Sequence, residues 1–473
     1  MNMHAPLFSL LPRPKPMALA GRCVLVLGLG DTGLAVACWV AQAGARVRAA
    51  DSRATPPGAA QLAARVPQAE RRFGAFDASL LDGVDLVCLS PGLALAEPVV
   101  QAAIARGLPV LGDMELFAWQ LHASARARVA AITGTNGKTT VTALVGHLLR
   151  SAGIDCEVAG NIGPAALAAL MRRAASGVLP AAWVLELSSY QLETTWSLAP
   201  DVATVLNLSQ DHLDRYASLE EYGAAKARIF AGAALAIVNR DDVRARALAA
   251  GAARRLSFGL DTPPRDEDYG ILVRDGTSWL ARGRDPILEA GALGTHGRHN
   301  LANALAAAAL AQALGIDAAA IARGLATFEG LPHRLQRVAL RRGVAWYDDS
   351  KGTNVGATVA ALRGLETAGR VLLIAGGDGK GQDFAPLATA VIERARCVLL
   401  IGRDAPRIDA ALAPSGVPLE RCATLENAVA RAAAQAEPGD AVLLSPACAS
   451  FDMFRDYRER GDVFTRAVRA LGA

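Results

Sequence analysis

The sequence predicts an α/β protein of three domains, and three observations carry that prediction. The first is length: 473 residues correspond to about three units at roughly 150 residues per domain. The second is composition. Hydrophobic residues make up 52% and aromatics only 5%, so the apolar content is mostly Ala, Val and Leu, which suits helices packed on parallel strands better than an aromatic-rich sandwich. The third is alternation. Short β-branched runs end in glycine or polar residues and lead into Ala/Leu-rich helical stretches. Such runs occur at 23–27, 129–132, 183–187, 202–206, 371–374, 397–401 and 441–444. In sheets of this kind function concentrates at the carboxyl ends of the strands.

Boundaries are expected near Gly112-Asp113, before a second glycine-rich loop, and near Gly330-Leu331-Pro332, where a helical stretch ends in a Gly/Pro turn. This divides the chain into 1–20, 21–112, 113–330 and 331–473. Within the second domain, residues 271–280 suggest an antiparallel hairpin and 282–285 a turn. The segment 1–20 reads as a loose leader. Ala18-Leu19-Ala20 resembles a cleavage site, but Pro12, Pro14 and Pro16 break the apolar stretch an export signal needs.

With 49 basic and 45 acidic residues the net charge is +4, too small a surplus to argue for nucleic acid or an acidic membrane. No run of about 18 apolar residues occurs. The seven cysteines are scattered, with no CxxC pair, and read as buried thiols in the reducing cytoplasm.

Two loops carry the chemistry. Gly28-Leu29-Gly30-Asp31-Thr32-Gly33 fits GxGxxG after a strand, where a tight turn and helix-start amides face an anion. Asp51, at the end of the next strand, is placed to reach a ribose hydroxyl. Alone, this signal suits an NAD-type site or a bare structural turn. Gly134-Thr135-Asn136-Gly137-Lys138-Thr139-Thr140 is stronger. Its amides cradle phosphate oxygens, Lys138 adds a point charge and Thr139 can hold Mg²⁺. It is a shortened P-loop, with Ile132 where the standard form has glycine. Glu186 and His212 follow at the ends of neighbouring strands, where their chemistry converges with that loop. Lys226 by itself reads as a solvated helix lysine, since an ammonium has no acceptor to offer a metal.

The motifs together resemble the Mur ligases, and within them the branch that adds D-glutamate. Matching segments include 28–33, Ser90-Pro91-Gly92, 112–117, 134–140, Gly160-Asn161-Ile162-Gly163, 185–193, 211–216, 224–226, 299–303, 331–334, 348–354, 376–380 and 445–451. The resemblance implies Rossmann-like N- and C-terminal domains around a P-loop ATPase-like centre. It moves the first loop from NAD to a uridine nucleotide, with contacts at Thr32, Ser52, Arg53, Ser90, Asn161 and His212. It implies ATP at 134–140, Asn303, Arg334 and Asp349, and D-glutamate at Lys351, Thr353, Lys380, Ser450 and Phe451.

It also implies two Mg²⁺ sites drawing on Thr139, Glu186, His212 and Lys226, the last as a CO₂-derived carbamate that turns an amine into an oxygen ligand. Lys138, Glu186, His212 and Lys226 are then the catalytic set. The implied reaction joins D-glutamate to UDP-N-acetylmuramoyl-L-alanine through an acyl phosphate, in a monomer with no nucleic-acid or membrane partner. An NAD-dependent oxidoreductase using the first loop leaves Lys138 unexplained. A P-loop switch hydrolysing ATP alone and a folylpolyglutamate synthase or sister Mur ligase are the other rivals.

Overall fold

A computed structural model describes residues 6–123, 127–212, 215–295 and 297–471. Among these, three sheets form. The first is fully parallel, in the order Glu70–Phe73, Arg46–Asp51, Cys23–Leu27, Leu86–Leu89, Val110–Leu111. Strand order reverses between Cys23–Leu27 and Leu86–Leu89, so a crevice opens above Gly28 and Ser90.

The second sheet has nine strands. Its parallel part runs Arg255–Phe258, Ala236–Asn239, Val202–Val205, Arg128–Thr133, Ala182–Glu186, Cys156–Gly160. Beyond Arg255–Phe258 lie Tyr269–Arg274, Thr277–Arg282 and Asp285–Glu289. The last two strands pair antiparallel. The expected hairpin forms, and the expected turn at 282–285 leads into one more strand.

The third sheet runs Gln336–Arg341, Val344–Asp348, Ala441–Leu444, Val371–Gly376, Ala395–Ile401, Leu419–Arg421, antiparallel only at its first pair. Central strands such as Ala182–Glu186 and Ala441–Leu444 are buried throughout, because helices cover both faces.

The segment expected to be a loose leader is anchored where it is described. Phe8 and Leu11 are buried against Leu25, Leu27 and Leu81, and Arg228 sits 5.7 Å over the Phe8 ring. Burying two large apolar side chains on the first domain holds the segment down; residues 1–5 lie outside the described part. Among the described residues, no helix is long and apolar enough to cross a membrane.

Candidate active site

The first crevice is built by a glycine turn that tolerates no side chain. A Cβ on Gly33 would stand 1.8 Å from the Gly28 carbonyl oxygen, and Gly28 itself has φ +85°. Ser90 Oγ donates to that carbonyl at 3.0 Å. Asp51 does not face a ribose. Its buried carboxylate accepts from Leu29 N at 2.7 Å and from Arg53 N, Nε and Nη2 at 2.7–3.0 Å. The Arg53 hydrogen bond chiefly holds its pKa down to about 2. A cleft of about 900 Å³ results, lined by Thr32, Ser52, Arg53, Ser90 and Asn161. Gln191 and Arg458 also line it, the latter from the third sheet's part of the chain; neither was expected from sequence. His212 is not in that lining.

The second loop leaves Arg128–Thr133 and turns at Gly137 (φ +81°) into the helix Lys138–Ser151. Lys138 Nζ folds back onto the carbonyls of Gly134 and Thr135 at 2.9 and 2.8 Å. Lys226, on the helix Leu219–Ala227, is 1% exposed and reaches the same Gly134 oxygen at 2.9 Å. Two ammonium groups therefore converge on one acceptor. Burial, with Lys138 as a like charge, pushes the Lys226 amine well below its ordinary range.

Glu186 ends its strand fully buried. Asn161 Nδ2 donates to Oε1 at 2.7 Å, so the residue that lines the cleft also holds the carboxylate. The other oxygen, Oε2, is buried with no partner. A carboxylate oxygen left this way is costly unless something cationic meets it. His212, at φ +56°, shares a 2.6 Å hydrogen bond between Nδ1 and Tyr190 Oη. Burial lowers its pKa; Asp211 opposes this, and Lys138, Lys226 and Lys380 reinforce it. Leu213 and Asp214 of the expected 211–216 motif lie outside the described residues.

A second cavity, of about 350 Å³, lies between the middle and last sheets. Asn136, Gly137, Thr140, Asn303, Arg334 and Asp349 line it, as does Lys351, so Lys351 shares the cavity expected for ATP. Asn239, Phe258, Thr295, His299 and Asn300 also line it and were not expected. Asn239 ends a parallel strand, a signal the sequence did carry. Burial raises Asp349 to about 7, although Ser445 Oγ donates to it at 2.7 Å. Lys351 is lowered to about 8, by burial first and Arg334 second, and stacks 3.8 Å over the Tyr457 ring.

Thr353 N donates to Lys351 O at 2.9 Å. The loops bearing Lys380 and Ser450 are joined where Asp378 pairs with Ala449. Lys380 is exposed and Ser450 buried, whereas Phe451 stands 70% exposed.

Fold and site define a phosphate-loop enzyme with two substrate-sized hollows, one of them lined by that loop. The comparisons with known proteins give its family. Residues 22–112 match the Mur ligase MurD-like N-terminal domain, 132–311 the Mur ligase middle domain, and 333–448 the Mur ligase glutamate ligase domain. The chain is 55% identical over 460 residues to UDP-N-acetylmuramoylalanine--D-glutamate ligase of Aromatoleum aromaticum, covering 96% of this chain and 98% of that one. It is 53% identical over 461 residues to the enzyme of the same name from Nitrosospira multiformis, covering 97% of each. The solved UDP-N-acetylmuramate-alanine ligase of Thermotoga maritima shares the fold at TM-score 0.59 and 20% identity, over 95% of this chain and all of that one. The chain belongs to the Mur ligase family.

Proposed function

We propose that the chain joins D-glutamate to UDP-N-acetylmuramoyl-L-alanine at the expense of ATP, through an acyl phosphate, in peptidoglycan precursor synthesis in the cytoplasm. Full-length identity to relatives bearing that activity in their names supports the reading. The observation that carries it is the Asn161–Glu186 contact: one side chain from the first cleft holds the carboxylate whose other oxygen lies buried and unpartnered.

The reaction must bring a carboxylate to a polyanion. Two unit charges ~4 Å apart repel by roughly 4 kcal/mol at an effective dielectric of ~20. Lys138, released from the Gly134 and Thr135 carbonyls, offsets part of this on the ATP side. When bound, Mg²⁺ would supply the remaining neutralisation and a template for in-line transfer. Among the described residues no three His, Cys, Asp or Glu side chains gather for a metal. The residues that would hold Mg²⁺ are Thr139 and Glu186 at one position and His212 with Lys226 at a second.

Lys226 fits that role as a carbamate: burial and the nearby Lys138 charge disfavour its ammonium, the neutral amine is the form that attacks CO₂, and the product is an oxygen donor. Thr32, Ser52, Arg53, Ser90 and Asn161 would hold the uridine nucleotide. Asn303, Arg334 and Asp349 would hold ATP with the 134–140 loop. Lys351 and Lys380 would meet the two carboxylates of D-glutamate, with Thr353, Ser450 and Phe451 around it. By this reading the chain acts as a monomer; its division near 112 and 330 agrees with the ranges of the three family models.

The test is isotope transfer during turnover. With ¹⁸O in the alanyl carboxylate of the acceptor, the label appears in inorganic phosphate, and D-glutamate alone among D-glutamate, L-glutamate, L-lysine and diaminopimelate stimulates phosphate release. Unlabelled phosphate would overturn the acyl-phosphate route.

A further inference from the structure

His212 is held by its backbone in a conformation few side chains adopt, with φ +56°. Its N–H donates to Asp211 Oδ1 at 3.0 Å, and its carbonyl accepts from Arg215 N and Tyr216 N at 3.0 and 3.1 Å. That closed turn fixes where the ring starts, and Tyr190 fixes how it is turned. Tyr190 lies on the short helix Ser189–Glu193, capped by Ser188 and Gln191, directly after Glu186. Its ring is clamped in turn. The Arg215 guanidinium lies 4.2 Å above it, and Arg215 donates to Glu193 Oε2 at 2.6 Å and to Pro91 O at 3.1 Å. Arg215 and Glu193 side chains are only 11% and 4% exposed, so the clamp has little freedom.

We infer that Tyr190 is a positioning residue for the reaction: its phenol oxygen accepts the Nδ1 proton of His212 and leaves the Nε2 lone pair free for a divalent cation. Geometry selects this tautomer over its alternative. Had Tyr190 donated to Nδ1, the ring proton would sit on Nε2. The carboxylate beside that nitrogen, Asp211 Oδ2, is 3.7 Å away, beyond hydrogen-bond range. An N–H at Nε2 would then have no carboxylate within hydrogen-bond range, whereas a lone pair there suits a cation. Imidazoles that ligate metals commonly give their other N–H to a fixed acceptor, and losing that acceptor costs about 10–100-fold in metal affinity or activity. The inference rests on the reading of His212 as a Mg²⁺ ligand.

The first measurement needs neither metal nor turnover. In metal-free protein labelled with ¹⁵N-histidine, the His212 ring is assigned by difference against His212→Gln. Its proton is expected on Nδ1; a proton on Nε2 overturns the inference while leaving the ligase reading intact. The second uses Tyr190→Phe, which keeps the ring beneath Arg215 and removes only the hydroxyl. The Mg²⁺ concentration for half-maximal rate is expected to rise about 10-fold, with KM for the UDP substrate within twofold and the tautomers mixed in the metal-free spectrum. An unchanged spectrum together with an unchanged Mg²⁺ requirement overturns it. If His212→Gln itself leaves the Mg²⁺ requirement unaltered, the ligand reading falls and takes the inference with it.

Discussion

Lys351 shows how one half-buried side chain would tie binding to pH. Its pKa is lowered from 10.5 to about 8, by burial and by the Arg334 charge. In the folded protein the ammonium is therefore complete below pH 8 and lost above it. Between pH 8 and 10.5 the unfolded chain binds the extra proton, so this site costs stability at neutral pH and returns it as pH rises through that window. For binding the sign is opposite, because a carboxylate needs the charged form. KM for D-glutamate is expected to climb above pH 8, approaching tenfold per unit, while Lys351→Arg, charged throughout, flattens the climb. The substrate's own amine titrates identically with both enzymes, so the difference in slope isolates Lys351. Equal slopes would remove Lys351 from the carboxylate site.

At the same scale, residue type made some of the site readable and left the rest hidden. Lys138 and Glu186 announce themselves by a glycine loop and a strand end. His299, buried to a pKa of about 4 with Nδ1 unpartnered, lies on an Ala-rich helix with no local mark of the cavity it lines. Asp51 misled in a specific way: its position suited a ribose, but Arg53 two residues on satisfies its carboxylate.

Among elements, the strand–glycine–helix unit at 28–33 is the least tolerant. Gly33→Ala would press a methyl into the Gly28 carbonyl at 1.8 Å and the Ser90 hydroxyl at 2.9 Å, both rigid parts of the cleft wall. Overpacking of this kind costs about 1–3 kcal/mol. The melting temperature should fall, and KM for the UDP substrate should rise about two- to twelvefold if about half of that cost falls on the bound geometry. ATP KM should stay put, since the 134–140 loop belongs to another sheet. Parallel changes in both constants would show the two clefts mechanically fused.

Central strands such as Arg128–Thr133 and Ala441–Leu444 were legible because burial on both faces demands continuous apolar runs, whereas Ala236–Asn239, equally central, was not among the expected runs. Edge strands were not. Glu70–Phe73 reads Glu-Arg-Arg-Phe and Leu419–Arg421 is largely charged, as edges facing solvent allow. Asp285–Glu289 hid for a related reason: Pro286 suits only an edge, and this strand ends its sheet.

At the scale of the whole molecule, the last domain meets the phosphate loop, and Asn354 makes that contact. Its Nδ2 donates to Asn136 Oδ1 at 3.1 Å and to Asp211 Oδ2 at 3.3 Å, both on the middle domain. Its Oδ1 separately caps the helix Val355–Gly364 through Ala357 N. Asn354→Asp separates these roles. The cap survives, since aspartate is an equally good N-cap, but both donations disappear and a carboxylate faces Asp211. Losing two interdomain hydrogen bonds amounts to about 2 kcal/mol, or some 30-fold in the closing equilibrium. The expected result is a matching fall in kcat/KM for ATP, with binding of the UDP substrate alone unchanged. Phosphate released per amide bond formed should also rise above one, because a site that closes poorly admits water to the acyl phosphate. A ratio that stays at one, with the fall in kcat/KM present, would show that Asn354 aligns ATP without sealing the site. Full activity at both readouts would mean that domain closure is carried elsewhere.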